Sequence, residues 1–157
     1  MGRSMGLRAQ PSRVDFAVIE AIGNKGEVVS LGQIVVPRAL SRPFQLNHLR
    51  TTIVDVLEEF QVAVAGIRLT EANAVNRSTD RIQLEAVIQE ALAGSRLRGL
   101  FAGRLSSIAA RLDGYTATSL KEAIASSNPF PLVDGWQTLT LERREAILVA
   151  LAAAEDL

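Results

Sequence analysis

Apolar and polar positions along the chain follow two different periods, and the longest stretch with strand character runs from Val14 to Val36. It reads as two β-strands joined by a tight turn at Gly23-Asn24-Lys25-Gly26, where glycine takes positive φ freely and Asn tolerates the left-handed region. Within the first strand Glu20 stands among Ala17, Val18, Ile19 and Ile22, a costly place for a charge unless it meets water or a metal. After Val36 the segment Arg38 to Pro43 is expected to form a short third strand or a loop, and Pro37 and Pro43 favour an edge.

The period then changes. From Phe44 to Phe60 the apolar residues Leu46, Leu49, Ile53, Val56, Leu57 and Phe60 recur at steps of three and four, as on one face of a helix. Val62 to Leu69 is a short apolar run expected to be a buried strand, parallel to its neighbour because a helical crossover precedes it. A polar loop, Thr70 to Thr79, leads to a helix capped by Asp80, with its buried stripe at Leu84, Val87, Ile88, Ala91 and Leu92 and its end at Gly94. Leu97 to Gly103 is another strand, and Arg104 to Leu112 a short helix. Ser119 and Glu122 have capping-box spacing for a further helix that Asn128-Pro129 must end. Leu141 to Ala154 is rich in alanine and leucine and closes the chain as a helix. Residues 1–12 read as a loose, flexible tail, leaving 13–157 as a single domain. The fold class is therefore α/β, a mixed sheet with antiparallel hairpin strands and parallel strands, flanked by helices.

Composition removes several chemistries. There are no cysteines and one histidine, His48, so thiol catalysis, Cys-ligated zinc and a Ser-His-Asp triad have no basis. Seventeen basic residues balance seventeen acidic ones, which leaves no whole-molecule attraction to nucleic acid, only local patches. Nearly all the basic residues are arginine, the better bidentate phosphate ligand. No apolar run is as long as a membrane span, so the expected location is the cytoplasm, with no membrane partner.

The order of elements and several local segments resemble the ribonuclease H-like superfamily, in its RuvC-type Holliday-junction resolvase branch. SSIAARLDGYTATSLKEAI is similar to the resolvase segment in which a short helix ends at a glycine and a further helix begins. ERREAILVAL resembles the closing DAADALAVAL-type helix, with Glu142 and Glu145 where two aspartates stand. Glu20 is placed where the resolvases carry the Asp that ends their first strand. The pairing of that Glu with NPFPL also resembles a small uncharacterised bacterial family of the same fold. The resemblance implies a metal-dependent nuclease acting on structured nucleic acid, with Mg²⁺ or Mn²⁺ held by Glu20, Glu142 and Glu145. It places the remaining acid of the fourth strand near Arg68 or Leu69, where Glu71 is the nearest carboxylate. If Arg68 takes that position, a cation replaces a metal ligand. Arg77, Arg81 and Arg104 are candidates for binding the nucleic-acid backbone, a homodimer is allowed for, and the alanine- and leucine-rich last helix would suit packing against a partner, although most such helices cover their own sheet.

Plainer readings exist for the same residues. Glu142 and Glu145 lie in the first turn of a helix, where negative charge is favoured whatever the function. Glu71 in a polar loop and the scattered arginines suit a solvated surface. The alternative function is therefore a catalytically silent ribonuclease H-like domain that serves in binding or assembly.

Overall fold

The computed structural model describes residues 2–75 and 78–157. Its five-stranded sheet has the order β3-β2-β1-β4-β5. The strands are β1 (Arg3–Ala9), β2 (Arg13–Ile22), β3 (Lys25–Val35), β4 (Val64–Arg68) and β5 (Gly99–Gly103). Antiparallel pairing joins β1 to β2 and β2 to β3, whereas β1 with β4 and β4 with β5 run parallel. The helices are α1 (Arg42–Glu59), α2 (Thr79–Ala93), α3 (Leu105–Arg111), α4 (Ala117–Ala125) and α5 (Leu141–Ala153).

The expected tail is the middle of the sheet. Arg3–Ala9 forms β1 between β2 and β4, and it supplies the third antiparallel strand that the sequence pattern sought at residues 38–43. Those later residues instead make a turn into α1, which starts after Ser41 with Pro43 in its first turn. RSMGLRA contains no β-branched residue, and glycine and serine give it the composition of a linker. Its strand state comes from burial on both faces, a tertiary effect that local preference does not register.

Strand alternation sorts β1 into two faces. Met5, Leu7 and Ala9 join Val14, Phe16, Leu49, Ile53, Leu84 and Ile88 in the core beneath α1 and α2. Ser4, Gly6 and Arg8 face α5 on the other side: the Ser4 hydroxyl donates to the Ala150 carbonyl at 2.6 Å. Gly6 and Gly66 are register partners on adjacent strands and open a shallow groove in which α5 lies. A Cβ on Gly6 would stand 1.8 Å from the Ala146 carbonyl oxygen, and one on Gly66 would stand 3.0 Å from that of Val149.

The helix in this groove is covered on its outer side by Ile108, Leu120, Ile124 and Trp136, so every residue from Ala146 to Ala153 is buried. An all-round apolar helix belongs inside a fold. Its alanines and leucines therefore cover its own sheet rather than packing against a partner. The buried Arg144 ties the outer layer to α5 by donating to the carbonyls of Ile124, Ser126, Trp136 and Gln137 at 2.6–3.2 Å.

Helix caps fall two or three residues before those expected. Ser78 rather than Asp80 caps α2, accepting from Arg81 N at 3.2 Å. The capping box of α4 joins Thr116 and Ser119. Among the described residues no helix is long and apolar enough to cross a membrane.

Candidate functional site

The sheet brings two arginines together at one end. β1 and β4 carry the same triplet pattern towards their ends, Gly6-Leu7-Arg8 and Gly66-Ile67-Arg68, and pair in register so that Arg8 lies beside Arg68. Both point to the α5 side, immediately beyond the two glycines. Glu145, in the second turn of α5, stands between them: its Oε2 contacts Nε of Arg8 and lies 3.8 Å from Nε of Arg68. Arg68 is 4% exposed. Its guanidinium also donates to the Leu69 carbonyl and pairs with Glu71 Oε1 at 3.1 Å.

Burial pulls the Arg68 guanidinium below its ordinary pKa; Glu145 opposes this, Arg8 adds to it, and Glu71 and Glu85 oppose it. Since arginine does not lose its proton in proteins, the shift expresses the cost of a buried cation that the surrounding acids offset. Glu145→Gln would leave two adjacent guanidinium groups without their shared counter-charge. The expected loss of stability is about 2 kcal/mol, readable from urea unfolding.

Further acids stand around the pair. Glu71 accepts from Leu105 N at 3.1 Å, and Glu85, reaching from α2, accepts from Thr70 N at 3.0 Å. Asp15 is the register partner of Arg8 and is 1% exposed; it accepts from Gln33 at 3.0 Å and from Gln10, with Arg13 Nε 3.9 Å away. Glu142 lies one turn before Glu145 and is half-buried.

Of the expected acids, then, Glu71 and Glu145 meet at Arg68, and Glu142 is on the same helix end. Glu20 is elsewhere. It belongs to β2, pairs in register with Arg3, and forms an ion pair with Arg3 Nε at 3.2 Å. Arg3 also donates to the Phe60 carbonyl at the end of α1, so this pair lies on the face opposite α5. From Asp15 to Glu20 the strand runs five residues, roughly 16 Å. Glu20→Gln is accordingly expected to cost less than about 1 kcal/mol in thermal unfolding, as for other half-exposed pairs.

Of the expected phosphate ligands, Arg104 donates to the Thr70 carbonyl at 3.0 Å, at the margin of the corner. Arg81 lies in the first turn of α2. Arg77 lies outside the described residues. Arg8, Asp15 and Glu85 were not singled out from the sequence, although the repeated Gly-x-Arg ending of two apolar runs was visible there.

No family model matches the chain. The crossover junction endodeoxyribonuclease RuvC of Bordetella parapertussis is 29% identical over 125 residues, which is 80% of this chain and 62% of that protein. RuvC of Bordetella pertussis is 29% identical over 122 residues, 78% of this chain and 60% of that protein. The chain thus spans about three fifths of the length of the curated relatives it matches. Among solved structures, Thermus thermophilus RuvC superposes with a TM-score of 0.72 at 12% identity, covering 97% of this chain and 93% of that one. The chain has the RuvC-type ribonuclease H-like fold. Fowlpox virus resolvase, solved with Holliday junction DNA, gives a TM-score of 0.54 at 9% identity over 98% of this chain and 99% of the viral one.

With the RuvC-type strand order established, the first strand is β1, whose next-to-last residue is Arg8, and Glu20 belongs to the second strand. The fourth strand ends at Arg68. The Mg²⁺ or Mn²⁺ implied by the resemblance does not fit this donor set, because guanidinium groups stand where two carboxylate ligands would be needed. Among the described residues no three acidic or imidazole side chains are grouped to hold a metal ion.

Proposed function

We propose that this chain is a resolvase-like module that binds nucleic acid without metal-dependent cleavage. The observation that carries the reading is the Arg8–Glu145–Arg68 cluster, which fills the corner between β1, β4 and α5 with fixed cations. Two-metal phosphodiester cleavage needs hard oxygen ligands converging on the ions, and two arginines at strand ends oppose that convergence by charge as well as by volume.

Support for nucleic acid as the partner comes from the similarity to RuvC and from the margin of the corner. Thermus thermophilus RuvC has been solved with a Holliday junction substrate, and that structure superposes with a TM-score of 0.66. Arg13, Arg81, Arg104 and Arg143 lie at the same end of the sheet, at the start of β2, the starts of α2 and α3, and the first turn of α5. Such a rim suits backbone phosphates more than base edges. A cytoplasmic location goes with this reading.

The similarity to two RuvC proteins favours cleavage itself as the second reading, and one assay separates them. A fluorescent four-way junction and a linear duplex are titrated in EDTA, then incubated with Mg²⁺ or Mn²⁺. The expected result is junction binding in EDTA, weakening with salt at a logarithmic slope of roughly −3, with the DNA intact under every condition. Metal-dependent cutting that Glu142→Gln abolishes would establish the nuclease, and failure to bind either DNA would sink both readings.

A further inference from the structure

Among the described residues, every aromatic ring but one is in the core or packed against it: Phe16, Phe101, Phe130 and Trp136 are buried, and Phe60 and Tyr115 lean on them. The exception is Phe44, in the first turn of α1, which is 65% exposed. Two more exposed apolar residues precede it in the chain, Val35 at the end of β3 and Leu40 in the turn that leads to α1. This group lies at the arginine-bearing end of the sheet. Val35 pairs in register with Arg13 at the start of β2, and Val36 N donates to the Ser12 carbonyl at 3.0 Å. Arg42, two residues before Phe44, donates to Gln83 Oε1 at 2.7 Å and to the Asp80 carbonyl at 3.1 Å, which fixes the start of α1 beside that of α2. Arg38, in the same turn as Leu40, is exposed and forms no ion pair among the described residues.

Single apolar side chains at a surface are ordinary and call for no ligand. Phe44 differs in two ways. Its ring is flat and rigid, with both π-faces available to a flat partner, and the cations near it favour a polyanion. A second copy seated on the same patch would set those cations against their own counterparts, which an isologous contact cannot avoid. We propose that Phe44 is a stacking residue for an unstacked nucleic-acid base, so that this end of the protein distinguishes branched or unpaired DNA from plain duplex. The proposal rests on the reading of the chain as a nucleic-acid-binding module. The rim arginines meet phosphates, which both forms of DNA carry, and they position without discriminating. Phe44 takes what a continuous duplex does not offer, a base face left uncovered by its neighbour. Val35 and Leu40 extend the apolar surface beside the ring.

The test follows, by fluorescence anisotropy in EDTA, the binding of a four-way junction with an unpaired thymine at its branch point and of a linear duplex of the same length. Phe44→Ala is expected to weaken junction binding about tenfold or more and duplex binding by far less. Its thermal unfolding should match that of wild type, since the ring is exposed. Phe44→Trp should keep the preference for the junction, and the junction should quench its added indole emission; the native Trp136 is fully buried and supplies a constant background. Equal losses for the two DNAs in Phe44→Ala, no loss for either, or an unquenched Phe44→Trp would overturn the proposal while leaving DNA binding in place. A wild-type dimer that Phe44→Ala converts to monomers in sedimentation would overturn it by giving the patch to a second copy. Wild type that binds neither DNA would remove the function proposed above, and this inference with it.

Discussion

Gly6→Ala is expected to lower stability by about 3 kcal/mol or more, roughly 6–12 °C in Tm for a chain of this size. The added Cβ would stand 1.8 Å from the Ala146 carbonyl oxygen and 2.7 Å from Ala150 N, both backbone atoms of α5. A side chain can turn aside, but a helix backbone cannot, so α5 must lift from β1. Lifting it breaks the Ser4 hydroxyl bond to Ala150 and separates Glu145 from Arg8. Gly66→Ala is the graded comparison. Its Cβ would meet the Val149 carbonyl at 3.0 Å and a Val149 methyl at the same distance, a contact that a shift of a few tenths of an ångström relieves. Equal losses for the two variants in thermal unfolding would show that α5 does not rest on the glycine pair as described.

Arg144→Met carries the second large effect, an expected loss of roughly 3–5 kcal/mol measured by chemical denaturation. Arg144 is 5% exposed, and its guanidinium serves four carbonyls rather than a carboxylate. Two of those carbonyls, Ile124 and Ser126, end α4, where a helix presents unpaired acceptors and favours positive charge. The other two belong to the single 3-10 turn Trp136–Thr138. Methionine fills the volume of the stem but offers no donor, so the α4 end and the Trp136 turn lose their common tie to α5. Arg144→Lys tests the geometry: one ammonium cannot reach both groups of carbonyls in the fork arrangement of arginine, and it should recover only part of the loss.

The hairpin and the closing helix were readable because their signals are local. Val14–Val36 became β2 and β3 with a turn at Gly23-Asn24, and the expected Leu141–Ala154 helix became α5. β1 was hidden for the opposite reason. Its apolar face touches residues far away in the chain, and nothing nearby in the sequence announces that. Losing β1 also displaced the site. With β2 counted as the first strand, Glu20 took the position that belongs to Arg8, and the acid of interest was sought on the wrong face of the sheet. Alternation along one strand sorts residues into two sets but does not say which set a given helix covers. Arg68 was recognised as an obstacle to metal binding, yet its partner could be found only through the parallel register of β1 and β4. Asp15 was just as obscure, an acid near the start of a strand whose burial depends on Gln10 and Gln33 reaching it from two other segments.

The bond between Ser4 and Ala150 spans 146 residues of chain. During synthesis at typical rates, β1 leaves the ribosome roughly 7–30 s before the helix that covers it is complete. Until then the middle strand has β2 on one side and, later, β4 on the other, but one face of Gly6 and Ser4 stays wet. Formation of the finished sheet must therefore wait for the last helix, and early folding should be confined to the hairpin and the α1–α2 layer. Refolding from denaturant is correspondingly expected to be slow for a protein this small, since its decisive contact is also among its most distant.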